Sequence, residues 1–399
     1  MAHSNSPRLS RAELLPVFGL ALSAFVFNSS EFMPIGLLTD IGASFGTSEA
    51  TTGLMISIYA WAVAVLSLPL MLLGSRLPPK RLILCVVALF ATGQLCSALA
   101  PTFPLLVCAR LLVACAHAVF WSVASPFAVR VVRGESSSAA MSLVVTGSAI
   151  AMIVGLPLGR VVGLIVGWRM TFGIIAAISA GIAIYLSLVF PQAEQGESFS
   201  LAKLPSLLRN RTLIAIYVMT VLIASAYYVG YSYIEPFMAQ VAGMGNGLIT
   251  VALVLFGMAG MAGSYLFSRL YDAHKAPFLV AFTAGIPLSL ALMAPAAAIA
   301  GGAGPVGIFA VCCIWGVSAT AFNVACQAEI ISVTETEASA VAMSIFSGIF
   351  NLGIGLGTWV GGRVVDGPGI ALIGFVGAAI GAAGLAIVLF RLVPLMRRG

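Results

Sequence analysis

Long apolar stretches separated by short polar loops occupy almost the whole of this chain, and they constrain its fold more than any other feature. Each stretch reaches the roughly 20 residues that an α-helix needs to cross the hydrocarbon core of a bilayer. Of the 399 residues, 8% are charged and 61% are hydrophobic, whereas a soluble domain is about 25% charged. A water-soluble fold is therefore excluded. Because lipid cannot satisfy free backbone groups, and the stretches are too long and uniformly apolar for barrel strands, we expect helices. The twelve predicted spans are 14–38, 51–74, 82–100, 103–129, 138–164, 168–190, 212–236, 247–270, 277–298, 304–331, 338–364 and 369–393.

The basic residues predict the orientation of these spans. If the amino terminus is cytoplasmic, fifteen of the nineteen Lys and Arg residues fall in inner segments and three in outer segments, as the positive-inside rule requires. The remaining one, Arg110, lies within the fourth span. We therefore expect a multi-pass protein of a bacterial cytoplasmic (inner) membrane with both termini in the cytoplasm. The same distribution explains the net charge of +6 without a nucleic-acid partner.

The two halves of the chain resemble each other. The tetrapeptide at Ala140 (AMSL) returns at Ala342 as AMSI, 202 residues later. The first span of each half also has an acid near its outer end, Glu31 and Glu235. We predict an all-α integral membrane fold with twelve transmembrane helices in two pseudo-symmetric six-helix bundles, an architecture of transporters. The predicted domains are an amino-terminal bundle (1–190), a cytoplasmic linker (191–211) and a carboxy-terminal bundle (212–399).

Charged side chains inside spans are functional candidates because each costs roughly 2.5–3.5 kcal/mol at mid-bilayer on insertion scales. Glu31 follows Asn28 by about one turn on the same helix face. The pair could be a proton-titrating carboxylate beside a hydrogen-bonding ligand, or a packing pair whose acid reaches the outer interface. In span four, Arg110, His117 and Trp121 form a stripe that could combine a fixed cation, a protonatable imidazole and an aromatic platform. Arg110 could instead snorkel outward, and His117 could be a core histidine.

Polar and aromatic side chains of the other spans are candidates for lining a hydrated cavity, although such residues also hold helices together. Tyr228, Tyr231 and Glu235 fall at helical spacing in span seven, as do Asn323 and Gln327 in span ten. We predict proton coupling by Glu31, His117 and Arg110. The predicted substrate-binding residues are Asn28, Tyr59, His117, Trp121, Tyr228, Tyr231, Glu235, Asn323, Gln327 and Asn351.

The fifth span contains the run Gly155-Leu156-Pro157-Leu158-Gly159. Small residues permit close helix approach, and an internal proline permits a bend. The run is either a static packing seam or a gating hinge, and we predict gating by Gly155, Pro157 and Gly159.

Catalytic and cofactor motifs are missing from the sequence. There is no phosphate-binding loop ending in GK[ST], no HExxH, no GxSxG and no carboxylate cluster with metal spacing. The seven cysteines lie in apolar stretches without CxxC spacing, as small packing residues do. We expect no enzyme activity, no metal, no cofactor and no disulfide.

Several of these features resemble the major facilitator superfamily over nearly the whole chain. The run at 155–159 resembles the antiporter motif of drug and proton exporters, and Arg110 matches the span-four arginine of the superfamily. The basic loop 74–81 occupies the place of the signature loop but has no aspartate, whereas its counterpart in the second half retains Asp272. Ala114 stands where the span-four motif usually has glycine.

Six spread-out segments narrow the resemblance to the bacterial sugar efflux transporters. The resemblance implies export of small sugars of the arabinose or thiogalactoside type in exchange for protons. Relatives of this group handle drugs and purine nucleosides, so a polyspecific drug or nucleoside antiporter is the alternative. The expected partners are a sugar or drug, protons and the lipid bilayer, and we expect a monomer. The six segments are FNSSEFMPIGLL (27–38), IYAWAVAVLSLP (58–69), AHAVFWS (116–122), GLPLGRVVG (155–163), YSYIEPF (231–237) and FSGIFNLGIG (346–355).

Overall fold

A computed structural model describes residues 10–74, 76–132, 137–192, 204–299 and 303–396. In these ranges all regular secondary structure is helical, and twelve helices are long and apolar enough to cross a membrane. The predicted all-α fold with twelve spans is therefore confirmed. Most of the predicted linker, residues 193–203, lies outside the described residues, as do five of the basic residues used for the orientation: Arg8, Arg133, Lys203, Arg397 and Arg398.

The observed helices follow the apolar stretches closely. Short π-turns occupy Ala151–Gly155 and Val388–Leu392, and a 3-10 turn occupies Ile370–Leu372. In chain order the α-helices are α1 (Arg11–Gly36), α2 (Leu38–Phe45), α3 (Glu49–Gly74), α4 (Pro79–Leu99), α5 (Phe103–Arg130), α6 (Ser137–Ile150), α7 (Leu156–Val166), α8 (Trp168–Val189), α9 (Leu204–Leu207), α10 (Arg211–Tyr231), α11 (Ile234–Gln240), α12 (Asn246–Leu270), α13 (Lys275–Ala297), α14 (Gly304–Ser332), α15 (Thr336–Asp366), α16 (Ile373–Ile387) and α17 (Val393–Met396).

The described residues divide into two compact units. The first contains 10–33 and 65–192, and the second contains 34–64 and 204–396. Residues 34–64 include α2 and the first part of α3, and they join the second unit because they contact α11 and α15. The bundle boundaries derived from the sequence stay a prediction.

A helix break recurs at matching positions in the two halves. Helix α1 ends at Gly36, and Leu37 (φ −125°, ψ 18°) leads into the short helix α2. Helix α10 ends at Tyr231, and Tyr233 (φ −116°, ψ 17°) leads into the short helix α11. The two break residues are 196 positions apart. A shared irregular backbone conformation supports the internal repeat more strongly than similar composition does.

Glycine packing repeats in the same way within each unit. In the first, a Cβ atom added at Gly155 would lie 2.9 Å from Ser29 Cα, and in the second, a Cβ added at Gly357 would lie 2.9 Å from Ser225 Cα. The glycines are 202 positions apart and the serines 196. The 202-residue offset found in the sequence therefore relates equivalent helix contacts.

The two acids predicted to correspond between the halves, Glu31 and Glu235, do not occupy equivalent positions. With an offset of 196, Glu31 corresponds to Tyr227, and Glu235 corresponds to Thr39. Glu31 lies within the long helix α1, whereas Glu235 lies in α11, beyond the break at Tyr233. The predicted correspondence of the two acids is wrong, because the break at Tyr233 separates Glu235 from α10.

Candidate functional site

The first unit brings Glu31, His117 and Trp121 together at the contact of α1 with α5. His117 and Trp121 are four residues apart on α5 and therefore share one face. The Trp121 indole donates a hydrogen bond to His117 Nε2 at 2.8 Å, and Glu31 Oε2 lies 3.5 Å from the same nitrogen. The side chain of His117 is 3% exposed and that of Glu31 is 13% exposed. Three residues proposed from sequence thus form one group, in which His117 is buried and Glu31 and Trp121 are partly buried.

The hydrogen bond from Trp121 defines the state of the imidazole. A nitrogen that accepts a hydrogen bond has no proton of its own, so His117 Nε2 presents its lone pair. Glu31 faces the same lone pair at 3.5 Å. Because Nε2 has a single lone pair, the indole and a protonated Glu31 carboxyl would compete for it.

Stacked aromatic rings hold this part of α5 in place. Phe27 of α1 stacks on Phe90 at 3.8 Å between ring centroids and on Phe120 at 4.2 Å. Phe120 meets Trp121 edge to face at 5.4 Å. Such packing restricts the rotamers of large side chains, so the Trp121 indole is held near His117.

Arg110 lies beside this group through Ser30, the neighbour of Glu31. Its guanidinium donates to Ser30 Oγ and to the Ser30 carbonyl, each at 3.3 Å, and Gln94 Nε2 donates to the same hydroxyl. Arg110 is 2% exposed, and its guanidinium lies 5.6 Å from the Phe172 ring centroid. It does not snorkel outward. Sequence reasoning missed Ser30, although a buried arginine in span four needs an acceptor.

Asn28 faces the fifth span rather than His117. Its amide donates to Ser148 Oγ at 2.5 Å and to the Ser148 carbonyl at 3.5 Å. The structure therefore gives Asn28 a partner between helices, as polar residues of membrane helices often have. Its role as a substrate ligand stays a prediction.

The glycine-proline run of the fifth span begins at a π-turn. Residues Ala151–Gly155 form that turn, and Pro157 lies in the first turn of α7. Proline cannot donate to the carbonyl four residues earlier, so a wider turn before it relieves the lost bond and the ring clash. A Cβ atom at Gly159 would lie 3.0 Å from Met33 Cβ. The run is thus both a local irregularity and a close contact with α1.

The second unit holds the predicted tyrosines in a buried aromatic cluster. Tyr231 lies 5.2 Å from Phe256 and 6.0 Å from Trp315 between ring centroids. Tyr227 packs on Tyr228 at 4.8 Å and on Trp315 at 5.3 Å. The sequence indicated Tyr228 and Tyr231 but missed Tyr227 and Trp315, because one aromatic residue in a membrane helix is usually a packing residue.

Glu235 does not share a helix face with the tyrosines. Helix α10 ends at Tyr231, so the predicted helical spacing from Tyr231 to Glu235 is wrong. Instead, Glu235 lies 5% exposed in α11, where its Oε2 accepts a hydrogen bond from Thr39 Oγ1 at 2.7 Å. Thr39 was not among the predicted residues.

The remaining predicted residues of the second unit lie on helices α3, α14 and α15. Gln327 Nε2 donates to Asn323 Oδ1 at 2.6 Å, which confirms that these side chains share a face of α14. The Asn351 amide nitrogen donates to the Ser347 carbonyl at 3.0 Å, one turn earlier in α15. Tyr59 is buried in α3. The chemical capacity of these groups is hydrogen bonding to hydroxyls, without a charged or nucleophilic centre.

Comparisons with known proteins agree with this architecture. The sequence profile described as Major Facilitator Superfamily matches residues 20–358. A protein of Mannheimia succiniciproducens named "Probable sugar efflux transporter" is 39% identical over 381 residues, which cover 96% of this chain and 94% of the relative.

Solved structures share the fold at low sequence identity. The inward-facing, unoccupied structure of a bacterial homologue of the human lysosomal transporter Spinster matches with a TM-score of 0.74 and 16% identity, covering 97% of this chain and 96% of that one. A mutant of the peptide transporter POT in complex with alafosfalin matches with a TM-score of 0.76 and 13% identity, covering 96% and 94% of the two chains.

Proposed function

The chain belongs to the major facilitator superfamily, and from that premise we propose that it exports small sugars of the arabinose or thiogalactoside type in exchange for protons. Membership makes it a multi-pass membrane transporter. The sugar is proposed because the relative named as a sugar efflux transporter is 39% identical over 96% of the chain. We further propose that the protein is a monomer in the bacterial inner membrane. The distribution of basic residues favours cytoplasmic positions for both termini.

The single observation that supports proton coupling is the shared nitrogen of His117. A proton delivered to His117 Nε2 would convert it from acceptor to donor, which breaks the bond from Trp121 and forms an ion pair with Glu31. A proton delivered to Glu31 would let the carboxyl donate to the same nitrogen, which also displaces Trp121. Either route turns proton binding into release of the indole, with Arg110 as the fixed cation beside Ser30.

Transport then follows by alternating access. Protonation must change the relative stability of the inward-facing and outward-facing states, because a ligand with equal affinity for both shifts nothing. The substrate contacts that we propose include Trp121 and His117, as the sequence predicts. We propose that the Gly155–Gly159 run bends between the states at its π-turn. The other substrate-binding residues that we propose are Asn28, Tyr59, Tyr228, Tyr231, Glu235, Asn323, Gln327 and Asn351.

The test uses purified protein in liposomes loaded with radiolabelled arabinose. Acidifying the outside should speed the efflux of arabinose several-fold if protons drive export. In Glu31→Gln the response to the pH gradient should disappear, while counterflow, which needs no gradient, continues. Asp40→Asn is the matched control because Asp40 is an exposed acid of α2, and it should behave as wild type.

Three results would contradict the proposal. Wild-type efflux that ignores the pH gradient excludes antiport. Full coupling in Glu31→Gln removes that carboxyl from the mechanism. Transport of lipophilic cations without transport of arabinose would favour the drug exporter.

A further inference from the structure

Helices α3 and α15 pack closely along one line in the second unit. Glycines at 348, 355 and 362 of α15 recur every seven residues, so they share one helix face. A Cβ atom at Gly362 would lie 3.4 Å from Ala50, and one at Gly348 would lie 3.6 Å from the Ala64 carbonyl oxygen. A Cβ at Gly355 would overlap the Trp61 indole at Cδ1 and Nε1. We call this contact line the α3–α15 seam, and its two helices run antiparallel because rising numbers on one meet falling numbers on the other.

Three polar side chains lie along this seam. Each has a buried atom without a hydrogen-bond partner in the described parts of the chain. They are Ser57 Oγ, Trp61 Nε1 and Asn351 Oδ1. Ser57 precedes Trp61 by one turn of α3, and Asn351 precedes Gly355 by one turn of α15. Since Trp61 lies on Gly355, the three groups occupy adjacent turns of facing helices. Ser57 is fully buried and Asn351 is 7% exposed.

Unpaired polar atoms in a close-packed seam destabilise it. Buried polar groups are hydrogen-bonded in the great majority of cases, and each exception needs an explanation. Here the exceptions are complementary: Trp61 offers an N–H donor, Asn351 offers a carbonyl acceptor, and the Ser57 hydroxyl offers both. A sugar hydroxyl also donates and accepts, so neighbouring hydroxyls of one ring match this set.

We propose that Ser57, Trp61 and Asn351 form a hydroxyl-recognition subsite that determines which sugar is transported. This inference rests on the proposed sugar transport and deepens it by assigning specificity to the α3–α15 seam. The subsite takes a polyhydroxylated small molecule, whose hydroxyls supply the partners that the three atoms lack. A site built to bind a hydroxyl rejects an analogue without it, because its polar groups are then left unpaired.

The experiment compares arabinose with its monodeoxy analogues, each of which lacks one hydroxyl. Counterflow in liposomes measures kcat/KM for each sugar and needs no proton gradient. Wild-type protein should prefer arabinose about tenfold or more over at least one analogue, as the loss of one buried hydrogen bond implies. In Trp61→Phe, Asn351→Leu and Ser57→Ala, that preference should fall at least fivefold, mainly through a higher KM for arabinose. The preference is a ratio within one preparation, so it does not depend on the amount of folded protein.

Trp359→Phe is the matched control, because Trp359 lies on the same helix, α15, but is 44% exposed. Its sugar preference should equal that of wild type. If all three seam variants keep the sugar preference of wild type, the proposed subsite is wrong, although the proposed sugar transport is not. The three polar atoms would then be bonded to water. Wild-type protein that shows no arabinose counterflow would overturn the proposed function, and the subsite with it.

Discussion

At the scale of single residues, the small side chain of Ser30 is an acceptor for two buried donors. Its hydroxyl accepts from both Arg110 and Gln94 inside the first unit. Ser30→Ala leaves two buried donors with one acceptor fewer, which should lower the free energy of unfolding by about 1–3 kcal/mol. The measurement is the thermal unfolding midpoint of the detergent-purified protein, which we expect to fall.

The neighbouring serine provides the control for that variant. Ser29 Oγ is buried and has no hydrogen-bond partner among the residues that the structure describes. Ser29→Ala should therefore leave the unfolding midpoint unchanged or raise it slightly. Equal losses of stability in the two variants would mean that the hydrogen bonds of the Ser30 hydroxyl do not stabilise the fold, and that only its packing does.

The sequence predicted the acid and the histidine of the candidate site because ionisable groups in apolar spans are costly and therefore conspicuous. It predicted Trp121 because that residue lies one helical turn after His117. It did not predict that Trp121 and Glu31 approach the same nitrogen of His117. That geometry depends on the rotation of α1 against α5. Small residues such as Ser30 and Thr39 were missed because a hydroxyl is common in membrane helices and shows its role only through its partner.

At the scale of helices, close glycine contacts set the distances between neighbours. A Cβ atom at Gly357 would overlap the Ser225 carbonyl oxygen and lie 2.9 Å from Ser225 Cα. These are backbone atoms, so a side-chain rotation cannot relieve the overlap, and Gly357→Ala should cost about 1–3 kcal/mol as overpacking does. The expected observation is a lower unfolding midpoint and weaker counterflow.

A glycine with open space around it separates overpacking from helix propensity. Gly181 in α8 has no neighbouring atom within 4 Å of an added Cβ among the described residues, and alanine is the better helix former by roughly 0.5–1 kcal/mol. Gly181→Ala should therefore keep or raise the unfolding midpoint. A decrease as large as that of Gly357→Ala would count against the close-contact explanation.

The lengths of the helices were predictable from sequence, but their interruptions were not. A span needs about 20 apolar residues to cross the lipid, and a run of that length is visible in the sequence. The break at Tyr233 is different, since its hydroxyl donates to the Thr358 carbonyl 125 residues away at 2.9 Å. Leu37 and Tyr233 are neither glycine nor proline, so the identity of the break residues themselves does not mark either break.

At the scale of the whole molecule, the proposed orientation places the loop after α3 in the cytoplasm and the loop before α12 outside. Leu77 and Gly245 are exposed residues of these loops. In a variant whose seven cysteines are replaced, single cysteines at Leu77→Cys and Gly245→Cys should react with a membrane-impermeant maleimide from opposite sides. The Gly245→Cys protein should be labelled in intact spheroplasts, because an outer loop is open to the added reagent. The Leu77→Cys protein should be labelled only in everted vesicles, where the cytoplasmic face is outward. The reverse labelling pattern would mean that the protein has the opposite orientation in the membrane. A proton entering from outside would then approach the face that we assign to the cytoplasm.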